Sequence, residues 1–159
     1  MVAGAGDNIS ARCGRIIYLS ASGTSLHLIC YRIREDIQAI VHTHSPWAGG
    51  VISFGRTIKP MFPEFVCDIE KVAHIDYVVP TTRKLAERVA QVIGNNNVVL
   101  MSNHGVLAVG RNLKEAYYRN LIIENAAKSL VAACIVGKPR FNPLPPAGLR
   151  QQTLTYLPL

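Results

Sequence analysis

The chain has 159 residues, of which 49% are hydrophobic and 17% are charged, and this composition excludes an intrinsically disordered protein. Its length suits one domain with a single core. No apolar run reaches the roughly 18 residues of a membrane span, and the first residues lack the basic and apolar regions of a signal peptide. A cytoplasmic protein with no membrane partner is therefore expected.

The net charge of +7 comes from lysine and arginine residues that are dispersed along the chain. Without a basic patch or aromatic–basic alternation, no nucleic-acid partner is predicted, although charge alone keeps one as a minor alternative. The positive charge instead favours an anionic small molecule such as a sugar phosphate. The four cysteines are scattered without a Cys-x-x-Cys pair, which excludes zinc-ribbon and thioredoxin motifs.

Strand and helix patterns alternate along the chain and predict an α/β or α+β domain. The β-branched and aromatic run at 15–21 predicts the first strand, and helical apolar spacing predicts a helix over 25–35. The sequence AIVHTH at 39–44 predicts a second strand. The remaining predicted elements are a short helix over 47–54, a strand over 74–79, a helix over 81–93, strands over 98–101 and 105–109, and a helix over 113–136.

The last helix has the clearest end signals. Asn112 is its predicted N-cap, Glu115 completes a capping box, and Gly137 followed by proline ends the helix. Its face is predicted to be carried by Leu121, Ile122, Asn125, Leu130 and Val131. The domain is expected to span residues 1–137, and residues 138–159 are expected to form an extended or poorly ordered, proline-rich C-terminal tail.

His42 and His44 form the most informative local motif. Residues i and i+2 of a strand point to the same face, so both imidazoles project from the end of an apolar strand. Such a pair supplies half of a zinc site. The third ligand must come from elsewhere, and spacing alone leaves His27, His74 and His104 open. His104 lies at a break between two strands, whereas His27 suits a helix core and His74 suits the surface.

Four further patterns are informative together, in chain order. They are residues 6–12 (GDNISAR), 20–23 (SASG), 39–46 (AIVHTHSP) and 102–107 (SNHGVL). This series resembles the Gly-Asn-hydrophobic-Ser-x-Arg, Ser/Thr-Pro-Ser/Thr-Gly, His-x-His and Asn-His-Gly motifs of the class II aldolase/adducin family. The resemblance implies a three-layer αβα fold around a mainly antiparallel central sheet flanked by helices, and commonly a homotetramer.

The resemblance also implies a ligand set. Zn²⁺, or another divalent metal, would be bound by three histidines, which are His42, His44 and His104. The phosphate of a ketose phosphate would be held by Asn8, Ser22 and Gly23. A short amide, a hydroxyl and exposed backbone N–H groups suit a phosphate, although ordinary turn chemistry would also explain these residues.

The implied reaction is metal-assisted C–C cleavage of a ketose 1-phosphate, such as L-fuculose 1-phosphate, to dihydroxyacetone phosphate and an aldehyde. Epimerisation or dehydration of a ketose phosphate is an alternative within the family. A third alternative is a non-catalytic, adducin-like assembly domain, although such domains tend to lose the metal histidines.

The resemblance to the family fails at the residue that acts as acid and base in its aldolases. Family aldolases carry a glutamate four residues before the histidine that corresponds to His27, and that place falls on Gly23. Glycine cannot transfer a proton, so the catalytic residue is unknown. The domain is therefore expected to be shortened at its N-terminus and after Gly23. Glu64 is the nearest spare carboxylate in sequence, but a loop surface position is the simpler interpretation.

Overall fold

The computed structural model describes residues 6–20, 23–69, 71–137 and 144. Within these ranges the chain forms six strands, four α-helices and one turn of π-helix. In chain order they are β1 (Asn8–Cys13), β2 (Ile16–Leu19), α1 (Thr24–Ile33), β3 (Ala39–Thr43), α2 (Pro46–Ser53), the π-helix (Phe65–Ile69), β4 (Val72–Ile75), α3 (Arg83–Ile93), β5 (Val98–Met101), β6 (Gly105–Gly110) and α4 (Leu113–Val136).

The six strands form one sheet in the order β2-β1-β3-β6-β5-β4. Four of the pairings are antiparallel, and β4 pairs with β5 in parallel. The sheet is therefore mixed, and the expectation of a mainly antiparallel sheet has to be corrected at this edge. The reason is α3, because a helical crossover between β4 and β5 returns the chain to the same end of the sheet.

Helices cover both faces of the sheet and give the three-layer αβα arrangement. Helices α1 and α3 pack on one face, where alternate residues of β5 and β6 such as Val99 and Leu107 are buried. Helices α2 and α4 and the π-helix pack on the other face, against Val98 and Val106. Every residue of β5 and β6 is buried, as expected for central strands covered on both sides.

The ends of α4 agree with the sequence prediction. The Asn112 side chain accepts a hydrogen bond from the Glu115 backbone N–H at 2.9 Å, and Glu115 accepts one from the Arg111 N–H at 2.6 Å. The predicted face of this helix is right in part, because Leu130 is buried and Ile122 and Val131 pack against the core. Asn125 is exposed, however, and the fully buried Asn120 and Ile123 were not predicted. The sheet packs against the side of α4 that carries Asn120 and Ile123. Contacts with the sheet, and not the apolar pattern of the helix, therefore decide which residues are buried.

Two strand predictions also need correction. β1 was not predicted, because the residues that it turns toward α1 are polar (Asn8 and Ser10) and break the usual apolar alternation. β4 ends at Ile75, several residues before the predicted 74–79 strand ends.

In the part of the chain that the structure describes, no helix combines the length and apolar character that crossing a membrane requires. The expected tail lies outside the described residues apart from residue 144.

Candidate metal centre

Three histidine rings meet at one end of the central strands. His42 lies near the end of β3, His44 follows that strand, and His104 is in the turn between β5 and β6. The antiparallel pairing of β3 with β6, with Thr43 opposite Val106, brings the turn beside the end of β3. The ring centroids are 4.9–5.1 Å apart, and one ligand nitrogen from each ring lies within 4.8 Å of the others.

The surroundings of His42 leave one nitrogen free for a ligand. Its Nδ1 lies 3.0 Å from the Val106 carbonyl oxygen, so a neutral ring donates its proton there and keeps a lone pair on Nε2. Burial, reinforced by the neighbouring His104, lowers the pKa of His42 to about 3. The ring is therefore neutral near pH 7, and a carbonyl partner on the far nitrogen is the usual arrangement for a metal-binding histidine.

His104 provides a second test of whether the site fits a metal. Its Nδ1 is buried and has no hydrogen-bond partner among the described residues. Burial and the neighbouring His44 both lower the pKa of His104. A buried polar atom without a partner is costly and calls for an explanation. A cation between the three imidazoles would supply that partner, so the residues fit a divalent metal with nitrogen ligands.

Close backbone approach holds the two histidine segments together. Asn103, in the turn before His104, has a left-handed φ of 54°, which asparagine tolerates better than most residues. Gly105 follows, and a Cβ there would collide with the Thr43 carbonyl. Gly6 lies against the His44 ring in the same way. These glycines therefore permit the three rings to converge.

A cavity of about 410 Å³ opens beside the histidines. Its walls include the N-terminal turns of α1 and α3, together with Asn8, Gly23 and Thr82. None of the described residues that line it is an aspartate or glutamate. Glu64 lines a separate pocket beside Asp68 and is exposed. The structure therefore places no described carboxylate in the wall of the histidine cavity.

Asn8 and Gly23 lie together next to the three histidines. Asn8 pairs with His42 across β1 and β3, so both side chains are on the α1 side of the sheet. Gly23 has a φ of 81° at the start of α1, and none of the described side chains caps that helix end. A Cβ on Gly23 would lie 2.6 Å from Asn8 Oδ1. Ser22, the third predicted phosphate ligand, lies outside the described residues.

The remaining histidines lie apart from this cluster. His27 is fully buried in α1, and its Nδ1 lies 2.7 Å from Ser10 Oγ, which is 2.8 Å from the Tyr31 hydroxyl. Burial lowers the pKa of His27 to about 4. His74 is exposed on β4, where its Nε2 lies 3.0 Å from Ser102 Oγ. His27 therefore joins α1 to β1, and His74 is a surface residue.

Three polar residues around the centre were not found from the sequence. Asp7 accepts a hydrogen bond from the His44 backbone N–H at 2.8 Å. Asn120 and Glu124 of α4 contact the segment that contains His44. Asp7 has a sequence signal, because it lies inside the first motif. Asn120 and Glu124 have none, since their partners are more than 70 residues away.

The fold and the histidine cluster together define an αβα domain with a candidate metal centre, and comparison with known proteins identifies its family. The family model of the class II aldolase and adducin N-terminal domain matches residues 1–131. The chain therefore belongs to the class II aldolase and adducin family.

Individual relatives differ in the reactions that their names describe. The L-fuculose phosphate aldolase of Methanocaldococcus jannaschii is 30% identical, and the match covers 86% of this chain and 90% of that protein. The 3-oxo-tetronate 4-phosphate decarboxylase of Escherichia coli is 29% identical over 64% of this chain and 50% of its own length. A solved L-fuculose 1-phosphate aldolase superposes with a TM-score of 0.82 at 23% identity, covering 96% of this chain and 86% of that one, which shows the shared fold.

Proposed function

We propose that the chain is a divalent-metal-dependent aldolase that cleaves a ketose 1-phosphate, such as L-fuculose 1-phosphate, to dihydroxyacetone phosphate and an aldehyde. The observation that carries the proposal is the convergence of His42, His44 and His104 on one point beside a cavity. Relatives that bear the name L-fuculose phosphate aldolase support the choice of reaction.

The three histidines would bind Zn²⁺ or another divalent ion, which when bound polarises a carbonyl oxygen and stabilises the negative charge that develops during C–C cleavage. The protein's part is to orient the three imidazoles and to keep His42 and His104 in the neutral form by lowering their pKa values. The Val106 carbonyl fixes the His42 ring, and Asp7 holds the His44 backbone. Such support is needed because a metal ligand acts only when its lone pair points at the ion.

The phosphate group would bind where α1 begins. The first backbone N–H groups of this helix are not capped by a side chain in the described part of the chain, and free N–H groups at a helix N-terminus attract anions. The amide of Asn8 lies against Gly23 at the same place. Asn8, Gly23 and, from the sequence, Ser22 are therefore proposed to hold the phosphate, and the net charge of +7 favours an anionic substrate.

A second reaction within the family is favoured by one observation, the lack of a described carboxylate in the cavity wall. Without a described glutamate beside the histidines, epimerisation, dehydration or decarboxylation of a sugar phosphate becomes the competing proposal, and one relative is named as a decarboxylase. A non-catalytic, adducin-like assembly role is disfavoured, because it gives no reason for three histidines to converge on one point.

Self-association accompanies this proposal, with a homotetramer as the expected form. The edge strand β2 exposes Ile16 and Tyr18, and apolar side chains on an open sheet edge favour contact with another chain. Light scattering of the purified chain measures its mass in solution. A monomer at micromolar concentration would exclude the tetramer without bearing on the reaction.

The reaction is tested by loading the whole chain with Zn²⁺ and offering L-fuculose 1-phosphate and a panel of related sugar phosphates. Release of dihydroxyacetone phosphate is followed with a coupled enzyme, and all products are identified by mass spectrometry. We expect release that a chelator abolishes and Zn²⁺ restores. A folded, metal-loaded chain that produces no dihydroxyacetone phosphate from any substrate would contradict the aldolase proposal, and a different product would identify the competing reaction.

A further inference from the structure

We propose that Asn120, in the middle of α4, is a positioning residue for the metal centre. It fixes the end of β3 from which His42 and His44 project. The inference rests on the proposed function, because it takes these two histidines and His104 as the ligands of one ion.

Asn120 makes polar contacts with three residues in and just after β3. Its Oδ1 accepts a hydrogen bond from the Thr43 hydroxyl at 2.7 Å and lies 3.3 Å from Ser45 Oγ. Thr43 Oγ1 and Ser45 Oγ are 2.6 Å apart. The Asn120 Nδ2 donates a hydrogen bond to the Val41 carbonyl oxygen at 3.3 Å. The one amide therefore binds both the backbone and the side chains of this segment.

The residues that Asn120 contacts alternate with the metal ligands. Thr43 points toward α4, while His42 points toward α1 on the opposite face, as the period of a strand requires. Rotation or sliding of this segment would therefore turn both histidines away from His104. A contact on the α4 side can control the ligands without touching the cavity.

The burial of Asn120 argues for a specific role. Its relative exposure is 0%, and its neighbours on the same helix face, Ala116 and Ile123, are buried and apolar. An amide at such a position must have its hydrogen bonds satisfied, or it costs stability relative to an apolar residue of the same size. Packing alone would be met by leucine, whereas an amide also sets the direction of Thr43 and Ser45.

The next turn of α4 extends the same attachment. The Glu124 carboxylate accepts hydrogen bonds from the backbone N–H groups of Trp47 at 3.2 Å and Ala48 at 2.9 Å. These N–H groups belong to the first turn of α2, which begins at Pro46, and a carboxylate there is favoured by the helix dipole. The segment containing His44 is thus held from both sides by α4, with Asn120 before it and Glu124 after it.

The inference is tested with Co²⁺, whose visible absorption reports the number and geometry of its ligands. The dissociation constant and spectrum are measured for the wild-type chain, Asn120→Leu, Thr43→Val and the double variant, alongside thermal unfolding. We expect Asn120→Leu to weaken Co²⁺ binding by roughly 10–100-fold, the range seen when residues that support metal ligands are changed, and to alter the spectrum. Thr43→Val is close in shape and tests the same contact if Asn120→Leu does not fold.

A double-mutant cycle separates positioning from general stability. If Asn120 acts through Thr43, the double variant should bind Co²⁺ about as weakly as the weaker single variant, because coupled residues are not additive. Leu130→Ala is the matched control. Leu130 is buried in the core on the same helix, so this variant should unfold at a lower temperature while binding Co²⁺ like the wild type.

Two results would overturn the inference, and they are distinguishable. If wild-type protein binds Co²⁺ and the Asn120 and Thr43 variants bind it equally well with the same spectrum, Asn120 is only structural and the proposed function stands. If wild-type protein does not bind Co²⁺, or His104→Ala leaves its spectrum unchanged, the histidine centre itself is wrong, and the inference is overturned with it.

Discussion

The two ends of strands β3 and β6 carry polar clusters of opposite character. At the end near Gly110, Glu115 lies between Arg111 and Arg119 at 3.3 and 2.8 Å, and Arg119 also donates to the Val109 carbonyl. Although burial opposes it, hydrogen bonds from Arg111 and the charge of Arg119 lower the pKa of Glu115. This cluster contains its own counter-charges.

The opposite end holds three imidazoles, with no described carboxylate in the wall of their cavity. The His104 Nδ1 there has no hydrogen-bond partner among the described residues. A cluster whose charges are paired with one another stabilises the fold, whereas three imidazoles whose ligand nitrogens lie within 4.8 Å of one another suit a bound cation. Changes at the two ends should therefore have separate effects, on stability at one and on metal binding and turnover at the other.

The largest effect is expected for His104→Ala. Removing one of the three proposed ligands should lower metal-dependent turnover by on the order of 10³-fold or more, because a bound metal would supply several kcal/mol of transition-state stabilisation. The thermal unfolding temperature of the metal-free chain should change little. Turnover with sugar phosphates is measured beside His74→Gln, which changes an exposed imidazole. Equal turnover by His104→Ala and wild type would contradict the assignment of metal binding and turnover to the histidine end of the strands.

A pH effect on stability is expected from His27, which belongs to neither cluster. Its pKa is about 4 in the folded chain against 6.5 for a free side chain, so the unfolded chain takes up the proton first. Stability from this residue is complete above pH 6.5 and is lost as the pH falls toward 4, by roughly 3 kcal/mol in all.

Urea unfolding at pH 7.5 and pH 4.5 measures the His27 effect. Comparison with His27→Gln, which does not titrate, removes the contribution of other groups. The wild type should lose more stability than the variant between the two pH values. An identical loss would show that the Ser10–His27–Tyr31 contacts tolerate the protonated ring.

At the charged end, Arg119→Met should lower the free energy of unfolding by about 2 kcal/mol, because Glu115 and the Val109 carbonyl lose a largely buried donor. The metal dissociation constant should stay within about twofold of wild type. Urea unfolding and a metal titration on the same protein check both parts. Weaker metal binding with intact folding would mean that the two ends are coupled through β6.

The smallest effect is expected at Gly23, in the proposed phosphate site. Gly23→Ala places a Cβ on a left-handed residue against Asn8, where backbone strain alone costs about 1–2 kcal/mol. We expect KM for a ketose phosphate to rise about tenfold, equivalent to 1.4 kcal/mol of binding, because the added Cβ displaces the Asn8 amide that is proposed to hold the phosphate. Metal binding should be unchanged. Gly55→Ala is the matched control, because φ there is 68° and no atom lies near the added Cβ. Equal KM values would argue against a phosphate at Gly23.

Local signals in the sequence predicted the elements that carry the site. The bounds of helix α4 were predicted correctly, because Asn112 and Gly137 flank it directly and are recognisable end signals. The same-face pair His42 and His44 followed from strand geometry. The parallel edge of the sheet was not predictable, because pairing β4 with β5 depends on how α3 packs and not on either strand's own sequence.

The rest of the centre depended on contacts that are distant in sequence. Spacing alone did not separate His104 from His27 and His74, and the family motif supplied that choice. Asn120 looked like part of an ordinary helix, because a polar residue among apolar ones gives no sign of a partner on β3. β1 was not predicted, because its two buried residues, Asn8 and Ser10, are polar. Asn8 lines the histidine cavity, and Ser10 contacts His27 of α1.

The most direct measurement of the central claim is X-ray absorption at the zinc edge of the Zn²⁺-loaded chain. We expect one ion per chain with three imidazole nitrogens at about 2.0–2.1 Å and the remaining coordination from oxygen, and loss of one imidazole shell component in His104→Ala. Sulfur ligands, or a spectrum that His104→Ala leaves unchanged, would show that the three histidines do not form the metal centre.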